Sequence, residues 1–243
     1  MFLVTGGGRG IGASIARLAA ARGHHVAILY RENDAAAAAL VKEIEKAGGR
    51  ALALKADVGD EKSLVRAFET VDRAGPLDVL VNNAGITGKV GRLAELPGET
   101  LEEILRINVT GAFLASREAV RRMSTKHGGR GGAIVNVSSG ASRTGSPGVW
   151  IHYAASKGAL DTLTIGLAKE VAAEGIRVNG VRPGLVDTDI HAGRPPGQLE
   201  QMAQRVPLGR IGQPVEIAQA VLWLASKEAS YVTGAILDAS GGV

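Results

Sequence analysis

The apolar positions of the chain fall into seven short runs rich in Val, Ile and Leu, and within most runs consecutive positions are apolar. The runs are FLVTG, HVAILY, ALALKADV, DVLVNNAG, GAIVNVSS, IRVNGVRPG and GAILDASGG. Strands that are apolar on both faces are typical of a parallel sheet covered by helices on both sides. The pattern therefore predicts seven buried, parallel strands.

Longer segments with helical periodicity separate these runs. They cover Ile11–Arg22, Ala35–Ala47, Lys62–Arg73, about Glu99–Met123, Tyr153–Ala173 and Val215–Ala225. Alternating strands and helices are typical of a doubly wound α/β fold. The sequence contains no evident linker, repeat or low-complexity segment, so we expect residues 1–243 to form one α/β domain.

Composition excludes several classes of site. The chain has no cysteine, which rules out disulfides, a thiolate nucleophile and a thiolate metal site, and which fits a cytoplasmic protein. His, Asp and Glu show no metal-ligand spacing, so we expect no metal. No apolar run approaches the roughly 20 residues that span a bilayer. The start, MFLVTGGG, has no cleavable signal pattern, and we expect it to be the mature start.

The net charge is +4 and the isoelectric point is about 9.5, which raises the question of nucleic-acid binding. The basic residues are scattered, and REAVRRMSTKHGGR is the one dense run. It lies near the end of a predicted helix, where cations favour the helix dipole. We therefore expect no nucleic-acid partner and no membrane partner.

A glycine-rich turn, TGGGRGIG, follows the first predicted strand and opens the first predicted helix. Gly6, Gly10 and Gly12 form a G-x-x-x-G-x-G pattern. Arg9 directly precedes Gly10, and Ile11 directly follows it. Glycines at such a turn let backbone N–H groups approach a pyrophosphate at the helix N-terminus. The position predicts a dinucleotide site, and the alternative is a turn without a ligand.

The end of the second predicted strand bears on the choice of cofactor. NAD-binding folds usually have an acid there that holds the ribose 2′-hydroxyl. This chain has Tyr30 and Arg31 instead, with Glu32 one position late. Arg31 and Arg9 can both recognise a 2′-phosphate, since guanidinium groups bind phosphate well. We expect NADP(H) to be preferred and NAD(H) to be possible. The alternative is that Arg31 is a solvated loop residue.

Tyr153 and Lys157 stand four residues apart in HYAASKGAL, a run of helix-forming residues. Residues at this spacing lie on one face of a helix. The ordinary interpretation is that the tyrosine packs and the lysine extends beside it. The chemical interpretation is that the ammonium group lowers the pKa of the phenol and makes it a general acid or base.

The motifs TGGGRGIG, ADV, NNAG, IVNVSS, YAASK and RPG occur in the order found in classical short-chain dehydrogenases/reductases, and the chain resembles that family over essentially its whole length. The resemblance implies a Rossmann-type domain, a nicotinamide cofactor and a homotetramer. It divides the chain into a cofactor half, about 1–135, and a catalytic and substrate half, about 136–243. It further implies that one set of residues contacts the adenine, the ribose and the nicotinamide: Asp57, Val58, Asn83, Ala84, Gly85, Tyr153, Lys157, Pro183, Gly184, Val186 and Thr188.

The same resemblance implies four catalytic residues. Tyr153 transfers the proton, Lys157 tunes the phenol and anchors the ribose, and Ser139 polarises the substrate carbonyl. Ser138 is the rival serine. Ser139 precedes Tyr153 by fourteen positions, where many relatives have thirteen, which suggests a one-residue insertion between them. Asn108 would link Lys157 to solvent, and the alternative is a structural residue that kinks a helix.

These features predict an NADP-preferring oxidoreductase that acts on a carbonyl or secondary alcohol. The substrate is left open between a 3-oxoacyl-carrier-protein reductase and a sugar or polyol dehydrogenase, with Arg121 and Arg122 as weak support for carrier-protein docking. A non-catalytic NADP(H) sensor is the third alternative. Candidate substrate contacts, by position only, are Trp150, Arg143, His191 and Arg194. His152 could edge the pocket, and His24 and His25 are expected to be structural.

Overall fold

A computed structural model describes residues 1–189 and 197–243. Over these ranges one seven-stranded sheet forms the centre of the molecule. Its strands are β1 (Phe2–Thr5), β2 (His25–Tyr30), β3 (Arg50–Lys55), β4 (Val79–Asn82), β5 (Gly132–Val137), β6 (Ile176–Pro183) and β7 (Ile236–Ala239). The order is β3-β2-β1-β4-β5-β6-β7, and every neighbouring pair is parallel. The predicted doubly wound α/β fold is confirmed.

Helices cover both faces of this sheet. They are α1 (Gly10–Ala21), α2 (Asp34–Lys46), α3 (Glu61–Ala74), α4 (Gly98–Ile104), α5 (Gly111–Met123), α6 (Ala141–Thr144), α7 (Ile151–Val171), α8 (Gln198–Ala203) and α9 (Pro214–Ala225). Apolar side chains of α1, α2 and α9 pack in one core, and those of α3, α5 and α7 pack in the other. The structure describes no helix long and apolar enough to cross a membrane.

Alternate residues of each central strand enter opposite cores. On β1, Phe2 and Val4 belong to the core with α1 and α9, whereas Leu3 belongs to the core with α3 and α5. All three side chains are buried. Each such side chain contributes roughly 1.5–3 kcal/mol through removal from water. Burial on both faces explains why the central strands are apolar at consecutive positions. The edge strands β3 and β7 contain no buried residue, so the prediction of seven buried strands is wrong for these two.

The predicted long helix Glu99–Met123 is not continuous. A π-helix at Leu105–Thr110 separates α4 from α5. Its backbone hydrogen bonds join residues five apart instead of four, so the turn is wider than in an α-helix. α5 then begins at Gly111, where a Cβ would lie 2.9 Å from a methyl group of Val58. The periodic pattern did not predict this interruption, nor the short helices α6 and α8.

The order of the strands reverses beside β1, which pairs with β2 on one side and β4 on the other. The segments that follow β1 and β4 therefore diverge toward opposite faces of the sheet. In open α/β sheets, ligands bind in the crevice that this divergence creates at the carboxyl ends of the strands.

Candidate active site

A cavity of about 810 Å³ lies at that crevice. Segments that follow or end β1 to β6 form its walls. All of the residues predicted to contact the cofactor line it: Gly6, Arg9, Gly10, Ile11, Gly12, Tyr30, Arg31, Asp57, Val58, Asn83, Ala84, Gly85, Tyr153, Lys157, Pro183, Gly184, Val186 and Thr188. Ser139 also lines the cavity, whereas Asn108 lies behind its wall and is fully buried.

The glycine turn packs too closely for side chains at two positions. Gly6 has a φ of +62°, and a Cβ there would lie 2.9 Å from the Cα of Ala84. At Gly12 a Cβ would lie 2.4 Å from the Gly6 carbonyl oxygen. Asn83 fastens the turn, because its Nδ2 donates to the carbonyls of Thr5 at 3.0 Å and Gly6 at 3.1 Å. The turn is thus held against the segment that follows β4.

The first turn of α1 faces the cavity through Gly10, Ile11 and Gly12. Arg9 precedes the helix without a side-chain capping bond, and the first turn contains no acidic residue. The first N–H groups of a helix have no intrahelical partner and carry a partial positive charge. A pyrophosphate fits this end of the helix in both charge and hydrogen bonding.

The cations expected to recognise a 2′-phosphate already have carboxylate partners. Arg31 lies 2.5 Å from Glu32 and 3.7 Å from Glu103 on α4, and Arg9 lies 3.9 Å from Asp189. All of these pairs are solvent-exposed, where an ion pair typically contributes at most about 1 kcal/mol. The pairs therefore weaken the attraction for a phosphate without blocking it. Glu103 had no signal in the sequence, since α4 approaches β2 only in the fold.

The carboxylate of Asp57 is held in place from two sides. It accepts from the Gly59 N–H at 2.8 Å and from Arg106 at 2.9 Å. Burial alone would raise the pKa of Asp57, but these two donors hold it below its ordinary value. Arg106 was not identified from the sequence because it stands in the π-helix, far from Asp57 along the chain.

Tyr153, at the start of α7, turns its phenol toward Ser139 at the end of β5. Burial raises the pKa of Tyr153, and the neighbouring Ser139 hydroxyl acts in the opposite direction without cancelling the rise. Because burial raises the pKa, Tyr153 is a protonated phenol at neutral pH. The expectation that Lys157 lowers the pKa of the phenol stays a prediction.

Lys157 is buried, with 3% of its surface exposed. Its Nζ donates to the Val137 carbonyl at 2.8 Å and lies 5.7 Å from the centre of the Tyr153 ring. Burial lowers the pKa of Lys157 to about 8, while the charge of Asp161 opposes that shift. Lys157 thus faces Tyr153 from one turn further along the same helix, as the spacing predicts.

The two adjacent serines differ in their contacts. Ser138 donates to the Lys157 carbonyl at 3.1 Å and is buried. Ser139 accepts from the Ala141 N–H at 3.1 Å, and its hydroxyl acts to lower the pKa of Tyr153. Ser138 therefore anchors the backbone of α7, and Ser139 is the serine whose hydroxyl meets the tyrosine.

Asn108 joins three elements behind the cavity. Its Oδ1 accepts from the Ile86 N–H at 2.8 Å, and its Nδ2 donates to the Ile86 carbonyl at 2.8 Å and to Ser156 at 2.9 Å. Ser156 in turn donates to the Tyr153 carbonyl at 2.7 Å. The side chain of Asn108 thereby couples the segment after β4 to the helix that carries Tyr153. Ser156 was not singled out from the sequence, although a polar residue three positions after Tyr153 was its signal.

The residues that were candidate substrate contacts by their position in the sequence differ in whether they line the cavity. Trp150 lines the cavity and meets Tyr153 edge-on, with ring centres 6.3 Å apart. Arg143 instead pairs with Asp238 at 2.7 Å. His152 is buried, and its Nε2 bonds to the Thr87 carbonyl at 3.0 Å. His191 and Arg194 lie outside the described residues. The cavity is further lined by Thr87, Thr144, Leu185, Met202, Arg205 and Val206.

The charges of the basic run are matched by acids. Glu118 accepts from Arg121 and Arg122 at 2.8 Å each, and Arg122 also bonds Asp72 at 2.8 Å.

His24 packs against the Phe2 ring, with ring centres 5.3 Å apart, which fits the expected structural role. Within residues 1–189 and 197–243, no group of three His, Asp or Glu side chains is arranged to hold a metal ion.

Comparison with known proteins gives a consistent result. A family model described as enoyl-(acyl carrier protein) reductase matches residues 6–243. An Escherichia coli protein described as the uncharacterized oxidoreductase YgfF is 52% identical over 242 residues, which cover 99% of this chain and 98% of that protein. The 3-oxoacyl-acyl-carrier-protein reductase FabG of Staphylococcus aureus is 38% identical over 244 residues, which cover 99% and 96%.

A solved structure agrees in fold. A short-chain dehydrogenase from Burkholderia cenocepacia in complex with NADP has a TM-score of 0.91 and 36% identity, covering 99% of this chain and 96% of that one. The parallel sheet with helices on both faces accords with that structure. The chain belongs to the classical short-chain dehydrogenase/reductase family of oxidoreductases.

Proposed function

We propose that this oxidoreductase uses NADPH to reduce a carbonyl group, with Tyr153 as the proton donor. The observation that carries the proposal is that Ser139, Tyr153 and Lys157 line one cavity, with the Nζ of Lys157 5.7 Å from the centre of the Tyr153 ring. A phenol that keeps its proton at neutral pH is in the form needed to protonate an alkoxide. Alcohol oxidation is the reverse reaction of the same groups.

The cavity suits a dinucleotide along its whole length. The N-terminus of α1 offers backbone N–H groups to a pyrophosphate, and Asp57 and Val58 stand at the adenine end. The nicotinamide, when bound, supplies the hydride. Pro183 and Thr188, which also line the cavity, would flank its ring.

The preference for NADPH over NADH rests on Arg9 and Arg31. No acid occupies the position of Tyr30, where a carboxylate would repel the 2′-phosphate. A hydrogen bond to a charged group is worth roughly 1.5–3 kcal/mol. Glu32 and Glu103 already pair with Arg31, so we expect a contribution near the lower value of this energy range. That value corresponds to a preference for NADPH of about tenfold.

Ser139, Tyr153 and Lys157 divide the chemical work. The hydroxyl of Ser139 hydrogen-bonds the substrate oxygen and stabilises the charge that develops there. Tyr153 gives its proton to the same oxygen. The ammonium of Lys157 donates to the cofactor ribose and stabilises the phenolate that remains, because an opposite charge favours the ionised form. Asn108 holds the wall behind them through Ile86.

The substrate class is open between two kinds of carbonyl compound. The identity with a 3-oxoacyl-acyl-carrier-protein reductase favours acyl thioesters. Arg121 and Arg122 give carrier-protein docking little support, because Glu118 and Asp72 pair with them. A sugar or polyol dehydrogenase is the alternative enzyme. A cofactor sensor without turnover is the alternative outside catalysis.

The proposed assembly is a homotetramer in the cytoplasm, with a small carbonyl or alcohol compound as the substrate. Phe113 on α5 and Ile165 on α7 are both more than two-fifths exposed, which is unusual for large apolar side chains on helices that also pack in the core. Burial of these side chains against another subunit would remove them from water.

A substrate panel with NADPH tests the proposal. Oxidation of NADPH is followed by absorbance with ketones, sugars and 3-oxoacyl thioesters, the last both free and attached to carrier protein. We expect turnover with at least one carbonyl class, and loss of it in Tyr153→Phe. Tight NADPH binding without turnover on any substrate would favour the sensor.

A further inference from the structure

A line of alternating charges runs from Lys157 to the surface. Asp161 lies one helical turn after Lys157 on α7. Its Oδ2 accepts from the Nε of Arg182 on β6 at 3.0 Å and lies 3.0 Å from the Nη2 of the same guanidinium. Arg182 also lies 3.4 Å from Asp238 on β7, and the other oxygen of Asp238 accepts from Arg143 at 2.7 Å. The line thus connects α7, β6, β7 and α6.

Asp161 is the inner acid of this line, and half of its carboxylate has no direct partner. Its side chain is 12% exposed, and its Oδ1 is buried without a hydrogen bond to any described residue. Arg182 compensates the carboxylate on one side only. A buried carboxylate that is held on one side acts on neighbouring charges through a medium that screens poorly. The neighbouring buried cation on the same helix is Lys157.

We propose that Asp161 is a positioning residue whose carboxylate, held by Arg182, keeps the side chain of Lys157 in the ammonium form. This role rests on the proposed function, in which Lys157 donates to the cofactor ribose. It explains why a carboxylate is kept in a buried position where an apolar side chain would cost less to desolvate.

Among the described groups near Lys157, Asp161 is the one that supplies negative charge. The titratable or charged groups near it are Tyr153 and Asp161 on α7, and Arg182 on β6 beyond Asp161. The other described groups around it are neutral: the Val137 carbonyl and Ser138 from the end of β5, and Asn108 from the π-helix. Burial lowers the pKa of Lys157 to about 8, and Asp161 is the charge that opposes it.

The substitution Asp161→Asn tests this role, because it removes the charge and keeps the size and an oxygen for Arg182. NADPH affinity is measured by fluorescence titration from neutral to alkaline pH, together with kcat/KM. We expect the pH at which NADPH affinity falls to move downward by about 0.5–1 unit, less than the 1–3 units typical of closer pairs. The alkaline pH at which kcat/KM falls should move downward by the same amount, while the NADPH affinity at neutral pH changes little.

Asp238→Asn is the matched control, since it makes the same change in the outer partner of Arg182. It should leave the pH at which affinity falls in place. An unmoved profile in Asp161→Asn, or an equal shift in both variants, would overturn the role of Asp161. Failure of the wild type to bind NADPH at every pH would overturn the proposed function and this role with it.

Arg182→Gln provides a second, independent variant if Asp161→Asn does not fold. It keeps the carboxylate of Asp161 and removes the neighbouring cation, so the fall in NADPH affinity should move to higher pH. A shift to lower pH would contradict the role of Asp161. Thermal unfolding of each variant shows whether it is folded under the conditions of the titration.

Discussion

The Nζ of Lys157 lies 5.7 Å from the centre of the Tyr153 ring and gives its hydrogen bond to the Val137 carbonyl. Burial raises the pKa of Tyr153. In the proposed reaction Tyr153 donates its proton, and the charge of Lys157 stabilises the phenolate that then forms.

The affinity for NADPH should fall as the pH rises through about 8. Burial lowers the pKa of Lys157 to about 8, so the ammonium that donates to the ribose is present below that pH and lost above it. The phosphates of the cofactor do not titrate in this range. Fluorescence titration at constant ionic strength measures the effect. The control Lys157→Met should bind more weakly and without this pH dependence. An equally steep fall in the control would assign the dependence to another group.

Replacement of Arg31 by Ala should weaken NADPH about tenfold in kcat/KM and leave NADH almost unchanged. The reason is that, in the proposed function, Arg31 binds the 2′-phosphate, which NADH lacks. Each factor of ten corresponds to about 1.4 kcal/mol. Steady-state kinetics with both cofactors at fixed salt measure the ratio. Equal kcat/KM values for NADPH and NADH in the wild type would show that Glu32 or a backbone group serves the ribose instead.

Glu103→Gln should act in the opposite direction on the same cofactor. It releases Arg31 from a carboxylate 3.7 Å away and removes a negative charge beside the expected phosphate position. Exposed pairs are worth about 0.2–1 kcal/mol, so NADPH should bind up to about fivefold more tightly. Glu102→Gln, in the same helix, provides the matched control. Weaker NADPH binding in Glu103→Gln would show that the pair with Glu103 positions Arg31.

Asn108→Ala should lower the free energy of unfolding by about 1–3 kcal/mol. The substitution leaves the N–H and carbonyl of Ile86 without their partners, and an unsatisfied buried group carries that cost. Ser156→Ala, which removes the link from Asn108 to the Tyr153 carbonyl, should cost less. Denaturant unfolding compares the two variants. A larger loss of unfolding free energy in Ser156→Ala than in Asn108→Ala would contradict this prediction. It would show that Ser156 on α7 contributes more to stability than Asn108.

Light scattering should give a mass about four times the 25.0 kDa of one chain. Phe113→Glu should reduce that mass, because the charged side chain would have to be buried between subunits. Leu93→Glu, at a site 61% exposed and outside α5 and α7, should leave the mass unchanged. A wild-type mass of one chain at micromolar concentration would contradict the proposed tetramer.

The sequence predicted the elements whose packing is local and repetitive, and it failed where distant segments meet. Seven strands and the helices around them followed from consecutive apolar positions, since both faces of β1 are buried. The break in the helix before Gly111 did not, because the periodic pattern carries no signal for the π-helix or for the hydrogen bonds from Asn108 within it to Ile86. Spacing placed Lys157 on the same helix face as Tyr153, but the pKa of Tyr153 depends on burial that no spacing shows.

The most direct test of proton donation by Tyr153 is the kcat of Tyr153→Phe on the best substrate of the panel, measured beside its NADPH affinity. The substitution keeps the ring that packs against Trp150 and removes only the hydroxyl. We expect kcat to fall by a factor of at least about 100, within the contribution typical of general acid catalysis, with NADPH affinity nearly unchanged. Activity above a few per cent of the wild type would contradict proton donation by Tyr153.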